Sequence, residues 1–130
     1  MKASISEATT MPMSFAEDVE AYADAGCQAM EVWLTKLEKH LETSTPDATE
    51  EMLQNKQMTL VAASYQGGLL LSQGEQRRIH YDHFRKRLDL CERFKIPTLV
   101  LAADFVDKLQ PMELERAIVS LKEAAQWAQS

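Results

Sequence analysis

The chain has 130 residues, of which 45% are hydrophobic, and its 20 acidic and 14 basic side chains give a net charge of −6. This length and composition fit a single domain over residues 1–130 with one hydrophobic core, and exclude a disordered or fibrous chain. The longest uncharged stretch, 58–74, is interrupted by serine, glutamine and glycine, so it is not a bilayer span of about 20 apolar residues. The first seven residues lack the apolar segment of a signal peptide. The sequence predicts a soluble cytoplasmic protein with no membrane partner.

The acidic charge balance argues against general nucleic-acid binding, which requires a basic surface. Five basic residues do cluster on one predicted helix, where such spacing indicates a solvated face: Arg77, Arg78, Arg85, Lys86 and Arg87.

The first half of the chain predicts two strand–helix units. Residues 2–6 form a short strand, and a capping box at Ser14 and Glu17 begins a helix that ends at Gly26. Residues 29–34 form the second strand. The helix that follows it begins at Thr45 and Pro46 and continues to about Lys56.

The second half predicts two more units. Residues 58–64 form a third strand, and a second capping box at Ser72 and Glu75 begins a long helix that reaches about Phe94. Residues 99–103 form a fourth strand, and Pro111 begins the last helix. Apolar spacing predicts its buried face: Leu114, Ile118, Leu121 and Ala125.

Four successive βα units with nearly continuous apolar strands predict an α/β class with a parallel sheet. Two architectures fit this pattern. A half of a TIM (β/α)8 barrel has strand order 1-2-3-4, whereas a flavodoxin-like open sheet has strand order 2-1-3-4. The pattern alone does not choose between them.

Four segments together resemble the sugar phosphate isomerase/epimerase family of xylose isomerase-like TIM barrels: 5–10, 14–33, 61–75 and 87–105. The resemblance extends over the chain but only over the first half of a family member. It implies an N-terminal half-barrel, a sugar or sugar phosphate as substrate, and proton transfer next to a carbonyl in the complete barrel. The complete family barrel uses a divalent metal, Mn²⁺ or Mg²⁺.

The resemblance also implies what this chain lacks. The family's metal ligands lie mainly on strands five to eight, so we expect no metal site on this chain and no activity from it alone. The related abasic-site endonucleases place histidines after strands three and four. This sequence has residues 64–65 and 103–104 there, with no histidine, which argues against DNA repair.

Barrel sites lie at the carboxyl ends of strands, and five residues near those ends are candidates for substrate binding: Trp33, Lys36, Gln66, His80 and Asp104. The indole would wall a sugar pocket, and the lysine would contact a ligand oxygen. The glutamine, beside two glycines, would bond to sugar hydroxyls.

Structural roles remain open for the same residues. Lys36 would equally form an ion pair with a buried Glu31, residues 64–68 would form a plain turn, and Asp104 would cap one. His80 and His83 are spaced for one helix face, but two histidines rarely suffice for a metal. A further alternative is a non-catalytic half-barrel whose open strand edges pair in a homodimer.

Overall fold

The computed structural model describes residues 3–105 and 107–129 as parallel strands alternating with helices. A 3-10 turn, Glu7–Thr10, follows the first strand. The strands and α-helices, in chain order, are β1 (Ile5–Ser6), α1 (Phe15–Asp24), β2 (Ala29–Trp33), α2 (Leu34–Leu41), α3 (Pro46–Asn55), β3 (Thr59–Gln66), α4 (Gly74–Arg93), β4 (Leu99–Leu101) and α5 (Pro111–Trp127). Lys2 of the predicted first strand lies outside the described residues.

The four strands form one sheet in the order β1-β2-β3-β4. In the parallel pairing of β1 with β2, Ile5 lies opposite Met30, and in that of β2 with β3, Trp33 lies opposite Ser64. Chain order is what a half TIM barrel requires, so the α/β half-barrel prediction is confirmed and the flavodoxin-like order 2-1-3-4 is wrong.

The starts of α1 and α3 follow the local capping signals, whereas α2 begins after Trp33 without a side-chain cap. The Ser14 hydroxyl accepts from the Glu17 amide and the Glu17 carboxylate accepts from the Ser14 amide, as the capping box predicts. The predicted box at Ser72 is wrong, because α4 begins at Gly74. The Ser72 hydroxyl instead donates to the Gly68 carbonyl and ties the preceding loop together.

The chain divides into two compact units, residues 3–64 with 91–100, and residues 65–90 with 101–105 and 107–129. The core of the first unit is formed by β2 and the helices beside it. Its most deeply buried apolar side chains, with at most 1% exposure, are Phe15, Val19, Met30, Val32, Leu34, Leu37 and Ala63.

In the second unit, α5 packs through small residues along its length and through the Trp127 ring at its end, which contacts the rings of Tyr81 and Phe84. Its buried residues are Ala117, Ser120 and Ala124. The predicted face is wrong, because these four residues are exposed: Leu114, Ile118, Leu121 and Ala125. Small side chains let α5 approach α4 closely enough for the Tyr81 hydroxyl to donate to the Ser120 carbonyl at 3.2 Å.

One member of the basic cluster is not solvated. Arg87 is 6% exposed, and its guanidinium donates to the Tyr65 carbonyl at 2.6 Å. This arginine therefore secures the end of β3 instead of decorating a surface. Within the described part of the chain, no helix combines the length and the apolar character needed to cross a membrane.

Candidate functional site

The first unit contains a cavity of about 580 Å³ next to the carboxyl ends of β1 and β2. The loop after the 3-10 turn, the start of α1 and one side of α2 enclose it. Its lining residues are Met11, Pro12, Met13, Ser14, Phe15, Glu17, Trp33, Thr35, Lys36, Lys39, His40 and Thr43. Apolar and polar side chains of this kind, at the carboxyl end of barrel strands, are typical of a small-molecule site.

Lys36 lines this cavity, but its ammonium group is already occupied. The Nζ atom donates to the Glu7 carbonyl at 3.3 Å, the Thr10 carbonyl at 2.8 Å and the Asp18 carboxylate at 2.5 Å. An ammonium has three protons, so these bonds use all of them. Lys36 therefore fastens the turn after β1 to α1, and a ligand contact through Nζ would require one of these bonds to break.

The predicted ion pair between Lys36 and Glu31 is wrong. Glu31 accepts hydrogen bonds from the Ser6 hydroxyl at 3.0 Å and from the Ser64 hydroxyl at 2.6 Å, one on each neighbouring strand. Hydroxyl donors from β1 and β3 satisfy the carboxylate within the sheet, and Lys36 pairs with Asp18 of α1 instead.

Glu7, the first residue of the 3-10 turn, is fully buried. Its Oε2 atom accepts from the Trp33 amide at 2.6 Å, which fixes the backbone where β2 ends. Burial raises the pKa of Glu7 to about 8, so the carboxyl holds a proton at neutral pH. The sequence prediction missed this residue, because a glutamate just after a short strand reads as a loop residue.

Two further residues of the cavity lining, His40 and Lys39, carry polar groups. Burial lowers the pKa of His40, so its imidazole is neutral at pH 7, and its ring lies 5.1 Å from that of Phe15. Lys39 is exposed and lines the same cavity, and no described residue forms an ion pair with its ammonium group. Lys39 was also missed, although it lies one helical turn beyond Lys36.

The other three candidates lie in the second unit, around the loop of residues 67–71. The Gln66 amide donates to the Gly67 carbonyl at 2.8 Å, and the His80 Nδ1 atom lies 2.8 Å from the Gly68 carbonyl. Asp104 accepts from the Leu71 amide at 3.2 Å. These contacts hold the loop, while the Gln66 Oε1 atom is buried without a described partner.

The structure therefore groups the candidates by unit. Trp33 and Lys36 share the cavity of the first unit. Gln66, His80 and Asp104 share the loop of the second unit, where each makes one contact to its backbone. Substrate binding by any of the five remains a prediction.

The described residues do not fit a divalent metal. Among residues 3–105 and 107–129, no three His, Cys, Asp or Glu side chains come together in a group that could hold an ion. A metal held by protein needs several such ligands. We therefore assign no metal-dependent step to these residues.

Comparison with solved structures identifies the fold. The chain is similar to the IolI protein with a bound zinc atom (TM-score 0.84, 20% identity, 98% of this chain and 48% of IolI). It is similar to AsbF of Bacillus anthracis, a protein of petrobactin synthesis (TM-score 0.77, 18% identity, 99% of this chain and 49% of AsbF). It is also similar to D-psicose 3-epimerase with D-tagatose from Clostridium cellulolyticum H10 (TM-score 0.76, 17% identity, 99% of this chain and 49% of the epimerase).

These neighbours are xylose isomerase-like TIM barrels, and the chain has the fold of one half of them. It spans about half the length of each neighbour named above. Identities of 17–20% establish the shared fold and nothing finer. Neither the protein-family models nor the curated proteins gave a match to the sequence.

Proposed function

We propose that this chain is the substrate-binding half of a sugar isomerase- or epimerase-type barrel, and that it binds a sugar or sugar phosphate. The observation that carries the proposal is the cavity walled by Trp33, which lies at the end of the sheet where TIM barrels bind their substrates. The similarity in fold to an epimerase that was solved with D-tagatose supports a sugar as the ligand.

The lining of the cavity suits a polyhydroxylated ligand. Trp33 offers an apolar face for the carbon side of a sugar ring, and Thr35 and Thr43 bring hydroxyls that donate and accept. The Lys36 ammonium group already donates its three protons to oxygen atoms of the protein. Lys39 is therefore the cation of the cavity lining that can bind a ligand. A lysine acts as a point charge toward phosphate, so we expect a phosphorylated sugar to bind more tightly than its neutral parent.

In a complete barrel the reaction would be proton transfer next to a sugar carbonyl, with general acid and base groups on either side of the carbon. This chain would bind and orient the substrate. Trp33 would cover one face of the sugar in the cavity of the first unit. Within the second unit, we propose substrate contacts for Gln66, His80 and Asp104, which hold the loop of residues 67–71.

A titration of the ¹⁵N-labelled chain with D-tagatose and with D-tagatose 6-phosphate tests the proposal. We expect shifts in the amide resonances of Trp33 and its cavity neighbours, and stronger binding of the phosphate. Lys39→Ala should remove most of the preference for the phosphate, roughly a 5- to 10-fold loss in affinity for about 1 kcal/mol. Lys122→Ala, on the exposed side of α5, removes the same charge elsewhere and should change nothing.

Absence of shifts at the cavity with both sugars would contradict the proposal. Equal affinity of the Lys39→Ala variant and the unmodified chain for the phosphate would contradict the assignment of Lys39 alone.

We propose as a second candidate function that the chain is a non-catalytic half-barrel that associates with a second copy. Two observations favour it. β1 and β4 are the edge strands of the sheet, and α5 exposes large apolar side chains, among them Leu114, Ile118 and Leu121 at 45–51% exposure. Open parallel edges and contiguous apolar surface are both typical of interaction surfaces.

The molar mass in solution tests this candidate. Self-association through α5 predicts a dimer by light scattering, and Ile118→Glu should shift the mass toward the monomer because a buried charge opposes the contact. Lys86→Glu, on α4, introduces a carboxylate at an exposed polar position away from α5 and should leave the mass unchanged. A monomer at every concentration would contradict this second candidate.

A further inference from the structure

A buried carboxyl pair lies beneath the cavity wall and has no part in the proposed sugar contacts. Glu7 and Asp18 are both fully buried, and the Glu7 side chain is within hydrogen-bonding reach of Asp18. Two neighbouring carboxyl groups cannot both ionise in such a site, and one of them keeps a proton.

The hydrogen-bond donors decide which carboxyl is ionised. Asp18 accepts from the Thr10 hydroxyl at 2.6 Å and from the Lys36 ammonium at 2.5 Å, so each of its oxygens has a strong donor. Among the residues that the structure describes, the one donor to the Glu7 carboxyl group is the Trp33 amide. The negative charge therefore resides on Asp18, and the proton resides on Glu7.

The second Glu7 oxygen supports the same assignment. Oε1 is buried, and no described donor reaches it. An ionised carboxylate would leave this atom without a partner, at a free-energy cost that buried acceptors rarely bear. A protonated Oε1 would be a donor, and the Asp18 carboxylate, which is within reach of the Glu7 side chain, is an acceptor.

We propose that Glu7 is a positioning residue held as a neutral acid, whose Oε1–H donates to Asp18 while its Oε2 accepts the Trp33 amide. The shared proton thereby joins the turn after β1, helix α1 and the end of β2, and it sets where Trp33 stands at the cavity wall. Both partners belong to this chain, so the inference goes beyond sugar binding and does not depend on it.

The charges around Glu7 come from the elements packed against it. α1 contributes Asp18 and the Tyr22 hydroxyl, which reaches the pair through Thr10. α2 contributes Lys36, whose positive charge opposes the effect of burial without cancelling it. β2 contributes the Trp33 amide, while its own carboxylate, Glu31, is bonded to Ser6 and Ser64.

This arrangement predicts a definite pH dependence. Desolvation raises the pKa of Glu7 from 4.5 to about 8, so the folded chain keeps a proton that the unfolded chain releases. The contribution of the protonated Glu7 to the free energy of unfolding is fully present below pH 4.5 and declines as the pH rises toward 8. Above that pH it has been lost and changes no further. Ionisation near pH 8 should also change the hydrogen bond at the Trp33 amide.

An NMR titration of the free, unmodified chain tests the inference without any substitution. The Glu7 side-chain carboxyl carbon and the Trp33 amide proton should titrate together with a midpoint near 8. Titration of the Glu7 carbon near the ordinary glutamate value of 4.5 would overturn the inference, as would a Trp33 amide that is insensitive to the Glu7 transition.

Two variants provide the matched comparison. Glu7→Gln has the same shape, cannot ionise, and can still donate to Asp18 and accept from Trp33. It should abolish the Trp33 transition, and its Tm relative to the unmodified chain should rise as the pH increases toward 8. Glu51→Gln makes the same change at an exposed position of α3 and should alter neither the Trp33 transition nor the pH dependence of the Tm. A Trp33 transition that persists in Glu7→Gln would overturn the inference, and should that variant not fold, the titration of the unmodified chain decides.

Discussion

Gly68 occupies a position that a side chain cannot share. Its φ of +76° lies in the left-handed region, and a Cβ atom there would run into the His80 imidazole, whose Nδ1 bonds to the Gly68 carbonyl. Gly26 has a similar φ of +83°, but open space surrounds its missing Cβ. A side chain at Gly26 would therefore cause backbone strain alone, whereas a side chain at Gly68 would cause strain and a steric clash.

Gly26→Ala should destabilise the chain by about 1 kcal/mol, the usual effect of placing an L-residue at positive φ. Gly68→Ala should lose more, because the imidazole must move and its bond to the loop must break. Urea unfolding measures both. His80→Ala in the Gly68→Ala background should recover part of the excess loss. Equal effects of the two glycine substitutions would show that the His80 contact does not constrain the loop.

For single residues, the sequence predicts the chemical type at the strand ends but not the hydrogen-bond partners. The chemical types at the strand ends could be predicted, since an aromatic residue lies near the end of the second strand at Trp33 and polar residues follow apolar runs at Gln66 and Asp104. Which polar atoms stay free could not be predicted. Lys36 gives its protons to two carbonyls of the turn after β1 and to Asp18, and such partners, 18 to 29 residues away in sequence, leave no local pattern.

At the scale of the element, helix starts were predictable and the buried face of α5 was not. Capping depends on residues within the first helical turn, so Ser14 with Glu17 and Thr45 with Pro46 identify their helices locally. A buried face depends on the partner helix. α5 carries apolar residues on more than one side, and its small residues face α4, where Tyr81 and Arg77 bond to Ser120.

Adjacent alanines on α5 test this orientation. Ala124 is 1% exposed, and Ala125 is exposed. Ala124→Leu should destabilise the chain by about 1 to 3 kcal/mol, because a larger side chain overfills a packed site. Ala125→Leu should change the free energy of unfolding by less than about 0.5 kcal/mol. Thermal unfolding of both variants measures the difference, and the reverse order would restore the face that apolar spacing predicts.

At the scale of the whole molecule, the strand order was the strongest sequence prediction. Periodicity allowed two orders, and the resemblance to the isomerase/epimerase barrels favoured 1-2-3-4, which the sheet confirms. The strand limits shifted by a few residues. β3 extends to Gln66, beyond the predicted end at Ser64, because the Gln66 carbonyl accepts from the Ala102 amide beside it.

The fold and the cavity together support a ligand-binding half-barrel. The chain covers 48–49% of barrels that include an epimerase solved with a sugar, and its first unit places Trp33 at the carboxyl end of β2 beside the cavity. The loop of the second unit holds three more candidates at the ends of β3 and β4. The central claim is that a sugar occupies the Trp33 cavity.

A crystal structure of the chain grown with D-tagatose 6-phosphate tests that claim most directly. We expect electron density for the sugar against the Trp33 indole, with its phosphate near Lys39. Density for the sugar at another place on the chain, or an undisturbed cavity at saturating ligand, would contradict it.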